Sequence, residues 1–131
     1  MATLGLPFTI SELTSRAALA ACHPDIAAFR SGNAKYPGAL DFAQFAYWRD
    51  GQTLHARMFA PLDNIPEDPA TGSAAATLAA LLAKIDGRDQ SFQLHQGDDM
   101  GRPSRIGLST KAEAVTVSGA ACAMMEGRLL L

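Results

Sequence analysis

The chain predicts an α+β fold, a mixed and mostly antiparallel sheet rolled around one central alanine-rich helix, and three observations carry that prediction. Positions 69–83 hold no charged residue, and the helix they open is small and apolar on nearly every face, so it has no polar stripe to give to water and must be enclosed by protein. Strand-like runs lie on both sides of it in the sequence. Asp50-Gly51 separates two such runs, and an aspartate-glycine pair there is a hairpin signal because glycine tolerates the positive φ of a tight turn. With 131 residues, 48% of them apolar, the chain is long enough for one core and too short for two ordinary ones, so 1–131 reads as a single domain.

In chain order, a strand is expected over 7–13, with imperfect alternation. Ser15 is a suitable N-cap for a short helix over 16–22, and Pro24-Asp25 can open a second helical segment through Phe29, which Gly32-Asn33 then ends. Positions 33–38 read as loop. The aromatic run 41–48 and the run 53–59 form the hairpin. Pro61, Pro66 and Pro69 mark a loop whose backbone cannot join a regular ladder. The central helix then spans 73 to about 85. Beyond Asp86-Gly87 strands are expected over 92–96, 104–109, 114–118, 120–125 and 128–131, with Gly119 and Glu126-Gly127 as turns or bulges. Alanine suits the central helix, because a curved sheet closes around a helix only if small side chains keep the axis within packing distance.

Composition excludes several classes. The formal charge is −2 and no two Lys or Arg residues are adjacent, which argues against a nucleic-acid footprint and against a basic membrane-surface helix. The uncharged stretch 69–83 is shorter than the roughly 20 apolar residues of a membrane span. The amino terminus lacks the basic start and apolar core of a secretory signal. Cys22 and Cys122 show no metal-type spacing, so they read as reduced, buried thiols in a cytoplasmic protein.

Glu67-Asp68-Pro69-Ala70-Thr71-Gly72-Ser73-Ala74 is the most informative stretch. It is an acidic, proline-broken turn leading straight into the helix. A helix start leaves backbone N–H groups unpaired and carries partial positive charge, and the small Gly72, Ser73 and Ala74 let an anion approach them. Asp68 is then either a proton acceptor at the rim or an acid stabilised by the helix dipole. Ser73 is either a cap or a ligand contact, with no His-Asp pair to make it a triad nucleophile. A second polar block, Gln96-Gly97-Asp98-Asp99-Met100-Gly101-Arg102-Pro103-Ser104, combines glycines that open the backbone with an Arg102 fork suited to carboxylates. The plainer reading of that block is a tight surface turn with Arg102 paired to Asp98 or Asp99. His23, His55 and His95 lie far apart and have no short ligand spacing, so no metal site is expected; His95, ending a strand before the loop, is the one that could line a site.

Ala56-Arg57-Met58-Phe59-Ala60-Pro61, the Glu67 to Ala74 block, Gln96-Gly97 with Gly101-Arg102-Pro103-Ser104, and Val117-Ser118-Gly119-Ala120-Ala121 together resemble the PhzF-like phenazine-biosynthesis isomerase family, in order and spacing over most of the chain. The resemblance implies a diaminopimelate-epimerase-like domain, in agreement with the sheet-round-helix reading. It further implies cofactor-free proton transfer on a small carboxylate-bearing substrate. Asp68 would be catalytic, and Gly72, Ser73, Ala74, Gln96, Gly97 and Arg102 would bind substrate. Family members look like two similar domains with substrate held between them, and this chain resembles only the second. The first, which carries the glutamate proposed to shuttle the proton and a Gly-His-Ala-Thr-like segment, has no counterpart: His55 precedes Ala56 but follows Leu54. Neither Cys22 nor Cys122 lies in the loop before the helix, which disfavours a cysteine racemase. Two functions follow as expectations. One is half of an isomerase that needs a companion chain across an open cleft; the other is a non-catalytic anion-binding or self-associating module, expected as a homodimer, or an inactive fragment.

Overall fold

The computed structural model describes residues 2–38, 40–112 and 114–129. A short strand, β1 (Ala2–Thr3), pairs antiparallel with β2 (Pro7–Glu12). Two helices follow, each started by the side chain before it. Ser15 Oγ accepts from Ala18 N at 3.0 Å to cap α1 (Arg16–Ala20), and Asp25 Oδ1 accepts from Ala27 N at 2.8 Å to cap α2 (Ile26–Lys35). The sequence placed the end of the second helix at Gly32-Asn33; instead α2 runs through both. Gly32 lies against the Phe42 ring, where a Cβ would stand 3.0 Å from Cδ1, and Asn33 Oδ1 accepts from Phe42 N at 2.9 Å. These two residues dock the helix on the segment entering the next strand, so close packing rather than helix breaking explains them.

The expected hairpin forms between β3 (Gln44–Asp50) and β4 (Thr53–Ala60), in continuous antiparallel register, with Gly51 at φ 59° in the turn. After a 3₁₀ turn at Pro61–Asp63, Asn64 takes a left-handed conformation and the chain returns as β5 (Ile65–Asp68). This strand corrects the expectation of a loop. Pro66 is tolerated because β5 is an edge segment that, among the described residues, pairs only with β4, at Met58↔Asp68 and Ala60↔Ile65, with a register irregularity between them.

The alanine-rich segment forms α3 (Gly72–Asp86), closed by Gly87 at φ 65°. Then come β6 (Ser91–Gln96), β7 (Ser104–Lys111) and β8 (Ala114–Gly119). The sheet order is β1-β2-β3-β4-β6-β7-β8; β2/β3 and β4/β6 are parallel and the other pairs antiparallel. α3 touches β1 and β2 at one end of this order and β7 and β8 at the other, which a flat sheet could not allow. The sheet is therefore rolled around the helix, as the composition of 73–85 demanded. Ala74, Ala75, Leu78 and Ala79 are fully buried there against Phe45, Leu54, Leu94 and Leu108.

Two expectations fail toward the C-terminus. Residues 120–129 form no strand, because β8 ends the sheet and they meet no partner strand among the described residues; the expected strand over 128–131 lies partly outside those residues. Met124, Met125 and Leu129 are left exposed. The cysteines are free, as expected, but not buried. Cys22 is half-buried, with its thiol donating to Ala18 O at 3.4 Å, and Cys122 stands on the exposed terminal segment. No helix of the described residues is long and apolar enough to cross a membrane.

Candidate functional site

One edge of β4 serves two partners. Its first half pairs with β6, ending at Ala56↔Gln96, and its second half pairs with β5, at Met58↔Asp68. Gln96 and Asp68 thus stand two residues apart along the same edge, at the fork where the chain leaves the sheet and enters α3. Gln96 closes this fork. Its side-chain amide is 1% exposed; Nε2 donates to Asp68 O at 2.7 Å and to Thr71 Oγ1 at 2.9 Å, and Oε1 accepts from Thr71 N at 3.1 Å. Ser104 Oγ adds a bond to Pro69 O at 2.8 Å. The turn from Asp68 to Thr71 is held by side chains wherever the sheet cannot hold it.

That scaffold aims a carboxylate and a helix start into one cleft. Thr71 Oγ1 donates to Asp68 Oδ2 at 2.6 Å, so Gln96, Thr71 and Asp68 form one relay of donors ending on the carboxylate. Thr71 takes the N-cap position with no side-chain cap bond, and the first intrahelical bond of α3 is Ala75 N to Thr71 O at 3.0 Å. The N–H groups of Gly72, Ser73 and Ala74 precede it and have no intrahelical acceptor. Asp68, Thr71 and Ser73 line a cleft of about 210 Å³ together with Pro7, Phe8, Met58 and Ala60. A larger depression of about 540 Å³, around Arg88, Gln90 and Phe92, lies by the other end of α3 and contains none of these residues.

The candidate residues thus separate into groups. Asp68 and Ser73 face the cleft, and Gly72 and the fully buried Ala74 flank Ser73 in the first helical turn. Gln96 and Gly97 stand behind the turn and hold it. Gly97 has φ 79°, and a Cβ on it would lie 2.2 Å from Arg102 O and 3.0 Å from Pro69 O, so only glycine lets the two turns touch. Arg102 is exposed on its turn and does not line the cleft. The expected pairing of Arg102 with Asp98 or Asp99 does not occur, because other arginines reach those carboxylates first: Arg105 holds Asp98 at 2.9 Å and Arg16 holds Asp99 at 2.7 Å.

Glu67, beside Asp68, belongs to the scaffold. Its two carboxylate oxygens accept from Arg57 Nε and Nη2, both at 2.8 Å, while Arg57 Nη1 donates to the carbonyls of Leu19, Ala20 and Cys22. The guanidinium is only 7% exposed, and its Glu67 bonds hold its pKa above the ordinary value despite burial. This strut ties the end of α1 to β4 and β5. Sequence reading missed Thr71, Ser104 and the Arg57–Glu67 pair. Thr71 at three residues after Asp68 was a legible signal, whereas the Arg57 bonds to residues 19–22 had none. The cleft lining contains Asp41, Asp63 and Asp68 and no Lys or Arg, so on this chain neutral groups meet that negative charge: the helix start, the Thr71 hydroxyl at Asp68 and the Asn33 amide at Asp41.

A mixed sheet rolled around one helix is the fold of a diaminopimelate-epimerase-like domain, and the comparisons with known proteins agree. Residues 1–127 match the family described as phenazine biosynthesis-like protein, PhzC-PhzF, and the chain belongs to that family. It is 39% identical over 126 residues to the trans-2,3-dihydro-3-hydroxyanthranilate isomerase of Pseudomonas aeruginosa, covering 91% of this chain and 43% of that protein. To an uncharacterized isomerase of Deinococcus radiodurans it is 44% identical over 82 residues, 55% of this chain and 27% of that one. Among solved structures, the PhzF-family protein of Bacillus anthracis superposes with a TM-score of 0.70 at 17% identity, over 88% of this chain and 42% of that chain. The chain spans less than half the length of these relatives.

Proposed function

We propose that this chain forms one wall of a cofactor-independent isomerase site acting on a small carboxylate-bearing substrate, and that a companion domain carrying a proton-shuttling glutamate supplies the other wall. The observation that carries this reading is the cleft at the start of α3, where the unpaired N–H groups of residues 72–74, Ser73 and the oriented carboxylate of Asp68 meet. The helix start grips the substrate's anionic group, and Asp68, with the Thr71 hydroxyl fixing one oxygen, accepts or returns a proton on the reacting carbon. The cleft's three carboxylates leave a cationic or proton-donating partner to come from across the opening. The isomerase activity named for the Pseudomonas aeruginosa relative, of which this chain covers 43%, supports the isomerase reading.

Mixing the purified chain with a first-domain companion, and following deuterium uptake at the carbon next to a carboxylate, tests the reading. Exchange is expected in the mixture and in neither part alone, and Asp68→Asn should abolish it while leaving ligand affinity in place. No exchange across a panel of hydroxy and amino acids refutes it. Exposed Met124, Met125 and Leu129 favour a second reading, a self-associating homodimer that binds an anion without chemistry. A monodisperse monomer in light scattering refutes that one.

A further inference from the structure

The three histidines are scattered in sequence, yet the fold brings two of them together on the sheet face away from α3. β4 and β6 run parallel with His55 directly opposite His95, and the two rings stand 5.0 Å apart. Trp48, His55, His95 and Arg105 form one row across β3, β4, β6 and β7. Asp98, on the 3₁₀ turn that follows β6, completes a cluster in which one donor atom from each of His55, His95 and Asp98 lies within 4.8 Å of the others.

From this geometry we propose that His55, His95 and Asp98 form a binding site for a first-row divalent cation of the Zn²⁺ type, separate from the cleft. Two imidazoles and one carboxylate are the donor set such ions take, with a fourth position for water. His95 Nδ1 and Asp98 Oδ2 are 4.0 Å apart, too far for a hydrogen bond. Ligand bonds of about 2.1 Å at a tetrahedral angle set donors about 3.4 Å apart, so the ion would draw together three donors that now lie within 4.8 Å of one another, by rotation of His95 and Asp98, whose side chains are 24% and 29% exposed, and of the His55 ring.

Two further observations favour a ligand here. His55 Nδ1 is buried and has no hydrogen-bond partner, although buried polar atoms are normally paired. Arg105 occupies Asp98 Oδ1 at 2.9 Å and leaves Oδ2 toward His95, the way an outer partner orients a ligating carboxylate. The bound ion would staple β4 and β6 to the turn that carries Gly97. The proposal stands independently of the isomerase reading.

Titration of the full chain, prepared without a histidine tag, with Co²⁺ as the spectroscopic probe tests it. One equivalent should produce the visible d–d bands of a low-coordinate centre, and equimolar Zn²⁺ should displace it and raise the melting temperature. His95→Gln and Asp98→Asn should each weaken binding at least roughly tenfold, while His23→Gln, at an exposed residue outside the cluster, leaves it unchanged. Far-UV circular dichroism identifies any variant that has lost the fold, and the other variant then decides. Absence of the bands, or equal Co²⁺ affinity in all folded variants, overturns the proposal.

Discussion

Replacing Gln96 by leucine tests whether the cleft is built by one buried amide. The side chain is 1% exposed and makes three hydrogen bonds of 2.7, 2.9 and 3.1 Å to Asp68 O, Thr71 Oγ1 and Thr71 N. At about 0.5–1.5 kcal/mol net for each bond, Gln96→Leu should cost about 2–4 kcal/mol, with the upper end favoured because three polar partners stay behind in a partly buried place. For a chain of this size that lowers the melting temperature by on the order of 10 °C. Gln96→Glu sharpens the test. It keeps the acceptor for Thr71 N but turns the donor toward Asp68 O and Thr71 Oγ1 into an acceptor at neutral pH, beside the Asp68 carboxylate. Burial and that neighbour raise the introduced carboxyl's folded pKa above its unfolded value of about 4.3. The variant is therefore most stable, relative to the parent, below that value and loses stability as pH rises through the folded pKa. Urea unfolding at pH 4 and pH 7 measures both effects. A loss under about 0.5 kcal/mol for Gln96→Leu, or no pH dependence of the gap between Gln96→Glu and the parent, refutes the account of the fork.

Gly97→Ala should cost at least about 3 kcal/mol, since the new methyl meets Arg102 O and Pro69 O and φ is 79°; a variant with parental urea midpoint contradicts the close approach of the two turns. Arg57→Met leaves Glu67 and three carbonyls without their donor, and breaking such a buried pair costs about 3–5 kcal/mol, read by the same unfolding curves. His55 and His95 have pKa values lowered first by burial, so the unfolded chain takes up protons before the folded one does. Their contribution is present above the unfolded value of about 6.5 and is lost as pH falls through it toward the folded pKa values. Melting temperature in metal-free buffer should therefore fall from pH 7.5 to pH 5.5, and less steeply in His55→Gln; identical slopes would remove the histidines from the account.

What could be read in advance follows from the range over which each force acts. The enclosure of α3 was legible because an uncharged helical segment has only one physical outcome in water, and the Asp50-Gly51 hairpin was legible because its turn is decided by adjacent residues. The start of α3 could be placed within one residue for the same local reason, expected at Ser73 and found at Gly72. The misses are tertiary. Gly32-Asn33 looked like a helix stop until the Phe42 ring and backbone supplied a partner for each residue. Pro66 looked incompatible with a strand because nothing local reveals that β5 is an edge. The same limit explains why Arg102 was assigned carboxylates that Arg105 and Arg16 take, and why His55 and His95 looked unrelated across forty residues of chain. A parallel pairing such as β4 with β6 requires a long crossover, here through β5 and α3, so residues that become neighbours in it are necessarily remote in sequence. A cluster built across such a pair is therefore the kind of site that ligand spacing cannot reveal, and the crossover that hides it also carries Asp68 and Ser73 to the cleft on the opposite side of the sheet.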